Sequence, residues 1–234
     1  MKKIIERRDK VLKVLAGKLE GFYLAGGTAL SLFYFQHRES NDLDFFTKDF
    51  SKPKIEKIIS VLSDPGFTMQ LIGEQTRDTA AKMSRYSMQI DKKNVLKIDF
   101  VEDFYEFIDP LKSVNGIDVL SIPDIYFRKI LAACGSIPKS DSTGRTTFAG
   151  GRQEVKDFFD LYFLSQTFKR LSDYALAYCS QPQIESIIVW YRTYDRTQMK
   201  LGLQDIITDK KVPFQEMERH FKTEIEEIIK REIE

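Results

Sequence analysis

Two aspartates separated by one residue, Asp42 and Asp44, have the spacing in this sequence that most directly predicts chemistry. In a β-strand, residues i and i+2 point to the same face, roughly 6.6 Å apart along the strand. Two carboxylates held there repel each other unless a cation lies between them. Mg²⁺ favours such oxygen ligands and keeps positions open for phosphate oxygens. The alternative is a solvated loop, because Asn41-Asp42 is also a turn dipeptide.

A glycine-rich segment, Gly26-Gly27-Thr28, lies upstream between a predicted apolar strand, 22–24, and a predicted helix, 29–35. Glycines let the backbone approach a ligand closely, and free N–H groups at a helix N-terminus favour phosphate. The alternatives are a plain turn for the glycines and an ordinary N-cap for Thr28. Together with the two downstream aspartates, the segment predicts a triphosphate cradle beside a metal site.

A third carboxylate, Asp99, interrupts an apolar strand predicted over residues 95–101. Aspartate is depleted in strand interiors and is seldom buried without a partner. If this strand lies beside the one that carries Asp44, three acids come together, and such a set suits two-metal displacement at phosphorus. The alternative is that Asp99 faces solvent and pairs with Lys97 on the same strand face.

A lysine in the second half of the chain is the next candidate. Lys129 lies in a predicted helix, 122–134, that is apolar nearly all round. Its ammonium must therefore reach solvent along its own stem or meet an anion such as a phosphate. Arg128 competes for that role, and the alternative is that both side chains simply reach solvent.

The following predicted helix, 152–166, carries charged residues along one edge of an aromatic face. Arg152, Lys156 and Asp160 have i, i+4 spacing, which places them on one ridge. Without other information, a solvated ladder of salt bridges is the simpler interpretation of that ridge.

The remaining pattern predicts the elements that hold these side chains. Apolar residues at helical spacing predict an opening helix over about 3–18, with Lys and Arg on its polar side, and a third helix around 55–62. Strands are predicted at 42–47, 68–72, 85–90 and 95–101. From Ser121 onward the periodicity is mostly helical, and the Gly-, Ser- and Thr-rich residues 135–151 predict a loop.

These elements predict an α+β fold, with a mixed sheet flanked by helices over residues 1–115 and a mainly helical domain over 116–234. The chain has 234 residues, 42% of them hydrophobic, and a net charge of +1. That composition is typical of a globular protein and argues against a nucleic-acid binder driven by a charged tail.

Isolated histidines and cysteines add no site of their own. His37 and His220 predict no triad, and Cys134 and Cys179 have neither metal nor disulfide spacing. The N-terminus lacks the apolar segment of a secretory signal, and the longest uncharged stretch, 21–36, is too short to span a bilayer. We therefore expect a cytoplasmic protein without membrane segments.

Five segments carry a resemblance that goes beyond single motifs. They are FYLAGGTAL at 22–30, RESNDLDFF at 38–46, KIDF at 97–100, IPDIYFRKILA at 122–132 and RQEVKDFFDLY at 152–162. In this order they resemble the AbiEii/AbiGii-type nucleotidyltransferase toxin family of the polymerase-β-like superfamily. The likeness spans about residues 20–165, and the combination of GGTAL, DLDFF and KDFFDLY is specific. It implies a nucleotidyltransferase-type mixed sheet with a helical C-terminal domain.

The resemblance also implies an NTP substrate, Mg²⁺ or Mn²⁺ as cofactor, and a role for each motif. The residues expected to bind the NTP are Gly26, Gly27, Thr28, Arg152 and Lys156. The metal ligands would be Asp42, Asp44 and Asp99, with Asp99 also activating the acceptor hydroxyl. The catalytic set would be completed from the helical side by Lys129, which would bind phosphate, and by Asp157 or Asp160.

The implied reaction moves an NMP from the NTP to an acceptor hydroxyl, with RNA such as tRNA as the expected acceptor. The implied role is that of the toxin in a toxin–antitoxin system of the abortive-infection type, with a cognate antitoxin encoded beside it. Basic residues that favour RNA, but that equally fit ordinary solubilising charge, are at 139, 145, 152, 156, 169 and 170. A small-molecule acceptor, or a non-catalytic partner-binding module with the same fold, remains an alternative.

Overall fold

The computed structural model describes residues 2–77, 80–140, 142, 144 and 146–234. The chain divides into two compact units. Unit 1 runs from the N-terminus to Phe33 and from Ser40 to Ser121, and unit 2 comprises Tyr34–Glu39 and Ile122–Glu234. Residues 116–121 thus belong with unit 1. That the chain folds as independent domains over 1–115 and 116–234 stays a prediction.

Unit 1 is built on a mixed β-sheet. Its strands are β1 (Tyr23–Leu24), β2 (Leu43–Thr47), β3 (Met69–Gln75), β4 (Met83–Gln89), β5 (Val95–Glu102), β6 (Lys112–Val114) and β7 (Ile117–Val119). Among the described residues they form one seven-stranded sheet in the order β3-β4-β5-β2-β1-β7-β6. The pairs β2–β5 and β1–β7 are parallel, and the other neighbours are antiparallel. A mixed sheet with helices confirms the predicted fold class.

The core of unit 1 follows from strand alternation. In β5, Leu96, Ile98 and Phe100 are buried, so the intervening Asp99 lies on the opposite face. Phe100 packs edge-on against Phe22, with ring centroids 5.2 Å apart. The aspartate that interrupts the apolar strand is therefore placed by the two-residue period of the strand.

Helices of unit 1 are α1 (Lys2–Leu15), α2 (Gly26–Leu30) and α3 (Lys52–Ser63). A π-helical segment, Ser31–Phe35, follows α2, and its last two residues are assigned to unit 2. In α1, Val11 and Leu15 are fully buried, but so is most of Arg8, which is only 5% exposed. The prediction that the basic residues all take the polar side of this helix is therefore wrong for Arg8. Helical spacing explains it, because residues 8, 11, 12 and 15 share one face.

The start of α2 also differs from the prediction. The helix begins at Gly26 rather than at Ala29, with Ala25 as the N-cap residue in an extended conformation. Gly26 has a φ of 67°, which a glycine adopts at no steric cost. Gly26, Gly27 and Thr28 therefore form the first turn of the helix instead of a turn that precedes it.

Unit 2 is mainly helical, as predicted for the second half of the chain. Its elements are α4 (Ile122–Cys134), β8 (Ile137–Ser140), β9 (Thr146–Ala149), α5 (Val155–Thr167), α6 (Leu171–Tyr178), α7 (Gln181–Thr193), α8 (Arg196–Gly202) and α9 (Phe214–Ile233). Phe158 lies at the centre of an aromatic core, with ring centroids 4.8 Å from Phe221 and 5.3 Å from Tyr194. Of the helices in the described ranges, none combines the length and apolar composition of a membrane span.

Prediction and structure agree at both ends of α4 and disagree after it. The predicted loop over 135–151 is wrong, because β8 and β9 pair there as an antiparallel hairpin. Sequence patterning missed this hairpin because each of its strands is only four residues long, too short to show a clear alternation. The predicted basic residue Arg145 lies outside the described residues.

Candidate functional site

Two of the predicted acids are neighbours across the sheet of unit 1. In the parallel pairing of β2 with β5, Asp44 is the register partner of Asp99. Both lie on the half-buried face of their strands, between fully buried neighbours. The backbone of Asp44 is held on its other side too, because its carbonyl accepts a 2.9 Å hydrogen bond from Ala25 N–H. The sheet thus fixes these two carboxylates side by side.

Asp99 has a cationic neighbour that the sequence did not reveal. Arg85 on β4 is its antiparallel register partner and donates from Nε to both carboxylate oxygens, at 3.1 and 2.9 Å. The proposed pairing with Lys97 is therefore replaced by one with Arg85. Burial raises the pKa of Asp99, the nearby Asp42 carboxylate raises it further, and Arg85 acts against both. A register count across the predicted β4–β5 turn is the signal that could have found Arg85.

Asp42 lies just before β2, outside the strand ladder, and is held by Thr28. The Thr28 hydroxyl, which is completely buried, hydrogen-bonds to the Asp42 carbonyl and lies 2.8 Å from Oγ of Ser40. Thr28 is therefore not the N-cap of α2, which is Ala25. Its hydroxyl is also not directed outward to a phosphate, because it is bonded within the protein. Thr28 therefore positions the segment that carries Asp42.

Gly26 is packed directly against Asp44. A Cβ at Gly26 would lie 2.5 Å from Oδ2 of Asp44, and its φ of 67° disfavours any side chain. We expect Gly26→Ala to destabilise the protein by about 1–3 kcal/mol and to displace the Asp44 carboxylate. Urea unfolding of Gly26→Ala and of Gly66→Ala tests this.

Gly66 is the matched control for that change. It has a comparable φ of 84°, but nothing lies within 4 Å of its Cβ position. Gly66→Ala should therefore report the backbone cost alone. Equal losses of unfolding free energy in the two variants would contradict the steric role assigned to Gly26.

The donor set near β2 fits a hard divalent cation. Asp42 and Asp44 offer carboxylate oxygens, and Asn41 Oδ1 is buried with no hydrogen-bond partner in the described part of the chain. Mg²⁺ is commonly held by one or two protein carboxylates together with substrate phosphates. The described residues contain no ready-made group of three or more His, Cys, Asp or Glu side chains for a metal ion. The donor set therefore favours Asp42 and Asp44 as ligands, with Asp99 beside them and bound to Arg85.

Unit 2 contains a buried cluster of charges around Asp160. This carboxylate is fully buried and accepts hydrogen bonds from Arg38 at 2.6 and 2.7 Å and from His37 Nε2 at 2.7 Å. Lys129 Nζ lies 2.6 Å from it. Burial acts to raise the pKa of Asp160, but Lys129 and Arg38 hold it well below its usual value. Asp160 is thus an ionised anchor for three side chains.

Lys129 is shared between two carboxylates of α5. Its Nζ donates to Oδ1 of Asp157 at 2.7 Å as well as meeting Asp160, and Arg152 Nε donates to Oδ2 of Asp157 at 2.6 Å. Burial would lower the pKa of Lys129, but the two aspartates raise it overall. The predicted ridge of Arg152, Lys156 and Asp160 is wrong, because Asp160 points inward while Lys156 is exposed.

The comparison with known families decides the identity of the chain. The profile described as nucleotidyl transferase AbiEii toxin, Type IV toxin–antitoxin system, matches residues 11–232. The chain belongs to the AbiEii family. This confirms the resemblance read from the five sequence segments, which cover only the first two thirds of that range.

Several individual proteins resemble this AbiEii chain. An uncharacterized protein of Aquifex aeolicus (strain VF5) is 32% identical over 165 residues, which are 68% of this chain and 65% of that protein. A Helicobacter pylori structure provisionally described as a nucleotidyltransferase has 18% identity and a TM-score of 0.59, covering 97% and 95% of the two chains. The nucleotidyltransferase toxin MenT4 of Mycobacterium tuberculosis H37Rv has 11% identity and a TM-score of 0.52, with 97% and 82% covered. These two structural likenesses show a shared fold.

The motif residues of this AbiEii chain form two groups in the structure, one in each unit. Asp44 and Asp99 are brought together in unit 1 by the β2–β5 register. In unit 2, Asp157 and Asp160 are brought together with Lys129, and the motif also joins His37 and Arg38. The prediction that His37 is isolated is wrong. A separation of 123 residues from Asp160 hid the contact from any local pattern.

His37 has a defined tautomer in the AbiEii structure. Because a carboxylate only accepts, His37 Nε2 must carry the proton of the hydrogen bond to Asp160, and Nδ1 is unprotonated in the neutral ring that burial favours. Nδ1 is buried without a hydrogen-bond partner among the described residues. Burial accordingly lowers the pKa of His37 despite the contact with Asp160.

The lowered pKa of His37 predicts a loss of stability in mild acid. The unfolded chain binds a proton at pH values near 6.5, where folded His37 still resists it, so the free energy of unfolding falls as pH drops below about 6.5. The slope for one histidine is at most about 1.4 kcal/mol per pH unit. Urea unfolding at pH 7.5 and 5.5 measures it, and His37→Gln should flatten the dependence.

His220 is the control for that measurement. Burial lowers the pKa of His220 as well, and its ring nitrogens contact Ser165 and Gln166. His220→Gln should therefore remove only its own share of the pH dependence. A pH dependence that is the same in wild type and His37→Gln would contradict the buried neutral state of His37.

Proposed function

We propose that this protein is a divalent-metal-dependent nucleotidyltransferase that moves an NMP from an NTP to an acceptor hydroxyl and releases pyrophosphate. Membership of the AbiEii family supports this activity. The observation that carries the proposal is the pairing of Asp44 with Asp99 on adjacent strands, next to a glycine turn packed on Asp44. Carboxylates on neighbouring strands beside a helix N-terminus provide places for cation, phosphate and nucleophile.

Asp42 and Asp44 are the proposed ligands of Mg²⁺ or Mn²⁺. A bound cation would neutralise phosphate charge and orient the triphosphate for in-line displacement. The chain's own contribution is to hold the two carboxylates in place, through the sheet for Asp44 and through Thr28 for Asp42.

Asp99 is the proposed acceptor of the proton from the attacking hydroxyl. Its raised pKa makes it a stronger base than an ordinary surface carboxylate, and Arg85 keeps it oriented. The hydroxyl oxygen forms a bond to the α-phosphorus while the bond to the pyrophosphate oxygen breaks. The proton passes to Asp99 and from there to solvent.

The proposed phosphate contacts are backbone groups of Gly26 and Gly27. The first N–H groups of a helix have no partner within it, and glycine allows close approach. The Thr28 hydroxyl is already bonded to Asp42, so its contribution to the triphosphate would come from its N–H. Among the other residues proposed for phosphate binding, Lys156 is exposed, whereas Lys129 and Arg152 are paired with Asp157.

RNA such as tRNA is the acceptor class that we propose to test first. Of the basic residues that favour it, Arg170 pairs with Glu224 at 2.9 Å and Lys169 lies over the ring of Tyr178. RNA binding by unit 2 would draw on exposed basic side chains such as Lys156. The salt dependence of binding distinguishes RNA from a small-molecule acceptor, because the affinity for RNA falls steeply as the salt concentration rises.

We also propose that the protein is the toxin of a toxin–antitoxin pair, as its family description suggests. The expected result is that expression arrests growth and that a neighbouring reading frame relieves the arrest. Growth that is unaffected by expression of the wild type would contradict the toxin role, but it would not contradict the proposed nucleotidyl transfer.

NTP binding is the first test of the chemistry. Calorimetry with each NTP, with and without Mg²⁺, should show binding that requires the cation in the wild type and is lost in Asp44→Asn. If no NTP binds in a Mg²⁺-dependent way, the non-catalytic partner-binding alternative replaces the enzyme.

A further inference from the structure

Asp42 and Asp44 are held by different means, although they are only two residues apart. Asp44 belongs to β2, where the ladder with β5 and the bond from Ala25 N–H fix its backbone. The β2–β5 register begins at Leu43, so Asp42 lies outside it. Contacts to residues 40–42 must therefore help to hold the backbone that carries the Asp42 carboxylate.

Two buried side chains supply those contacts in unit 1. Thr28 Oγ1 reaches the Asp42 carbonyl and Ser40 Oγ, and Arg8 Nη1 donates to the Ser40 carbonyl at 2.6 Å. A carbonyl can only accept, so the single hydroxyl proton of Thr28 is committed to Asp42. The Ser40 hydroxyl must then donate to Thr28. The segment is thus bound at two carbonyls and one hydroxyl.

The burial of Arg8 indicates that this contact is not incidental. A guanidinium on the apolar face of α1 costs desolvation free energy, and an exposed arginine would cost none. Its acidic contact, Asp9, is itself largely exposed. The buried contact of the Arg8 guanidinium is therefore its hydrogen bond to the Ser40 carbonyl.

We propose that Thr28 and Arg8 form a clamp that positions Asp42 for cation binding, with Thr28 acting through the Asp42 backbone. Neither side chain touches the reacting atoms, so both are positioning residues. This inference rests on the proposed function, because it assigns Asp42 to a cation. Changes to groups that orient a ligand typically weaken metal binding by about 10–100-fold.

Binding of Mn²⁺ alone, followed by the electron paramagnetic resonance of the free ion, tests the clamp. Thr28→Val preserves shape but removes the hydroxyl, so it should weaken Mn²⁺ binding by about tenfold or more. Arg8→Lys should also weaken it, since a lysine reaches one carbonyl with a different geometry. Thr28→Ser should restore wild-type affinity because the hydroxyl is retained.

Thr47→Val is the matched control in the same unit. Thr47 is a buried threonine of β2 whose hydroxyl contacts only Asp49 among the described residues. It should lose a similar amount of stability without losing Mn²⁺ affinity. Wild-type affinity in Thr28→Val, or an equal loss in Thr47→Val, would overturn the clamp.

Two further measurements separate failure of the clamp from failure of the proposed function. Asp42→Asn should abolish Mn²⁺ binding, and a wild type that binds no Mn²⁺ would overturn the metal site and the clamp with it. Hydrogen exchange of residues 40–44 reports the clamp without metal. It should accelerate in Thr28→Val and stay unchanged in Thr47→Val, and unchanged exchange in Thr28→Val would overturn the inference.

Discussion

Asp160→Ala is expected to lower the free energy of unfolding by about 3–5 kcal/mol, because it leaves two buried cations without their main counter-charge. Arg38 and Lys129 both contact this carboxylate within unit 2 and are nearly inaccessible to solvent. Removing one member of a buried ion pair costs far more than the pair contributes in net stability. Since whole domains are stable by only about 5–15 kcal/mol, the variant should unfold at much lower urea concentration.

An exposed ion pair of the same unit is the control for that change. Asp173 pairs with Arg231 at 2.6 Å, with side chains 48% and 39% exposed. Asp173→Asn should cost less than about 1 kcal/mol, as exposed pairs do. A free energy of unfolding for Asp160→Ala within about 1 kcal/mol of the wild-type value would contradict the stabilising role that the geometry gives to this cluster. Asp160→Asn, which keeps shape and loses charge, should fall between the two.

Asp44→Asn is expected to reduce nucleotidyl transfer by on the order of 10³-fold, because it removes a charged oxygen ligand from the proposed cation site. The fold should survive, since the backbone of residue 44 stays in the sheet and asparagine has nearly the same shape. Initial rates of NMP transfer and a thermal unfolding curve, measured on the same preparation, test both statements.

Asp118→Asn is the matched control for Asp44→Asn. Asp118 is an exposed aspartate on β7, a strand of the same sheet. Its replacement should leave the transfer rate near that of the wild type. Transfer by Asp44→Asn at more than about a tenth of the wild-type rate would contradict its role as a metal ligand.

The sequence predicted most accurately the elements whose apolar pattern repeats over many residues. Both ends of α4 were correct because a proline in its first turn and a long apolar period mark that helix. The β6–β7 hairpin was missed because strands of three residues are too short to show alternation.

The candidate site was predictable where residues are close in sequence and was not where topology brings them together. Asp42 and Asp44 are evident from their spacing, and the placing of Asp99 beside them depended on which strands are neighbours. His37 had no local signal, because its partner lies 123 residues away. Arg85 lies only 14 residues from Asp99, and a register count across the predicted β4–β5 turn could have paired them. Arg8 was missed for another reason, since helical periodicity assigns charge to the solvent side and a buried arginine is an exception to that rule.

Label transfer from two forms of the same NTP distinguishes transfer of the NMP from transfer of the terminal phosphate. The protein is incubated with Mg²⁺, total RNA and each NTP labelled at either the α- or the γ-phosphate. The proposed chemistry predicts that α-label enters the acceptor while γ-label leaves as pyrophosphate. No incorporation from any α-labelled NTP into RNA or into any small molecule, or incorporation from γ-label instead, would contradict a nucleotidyltransferase.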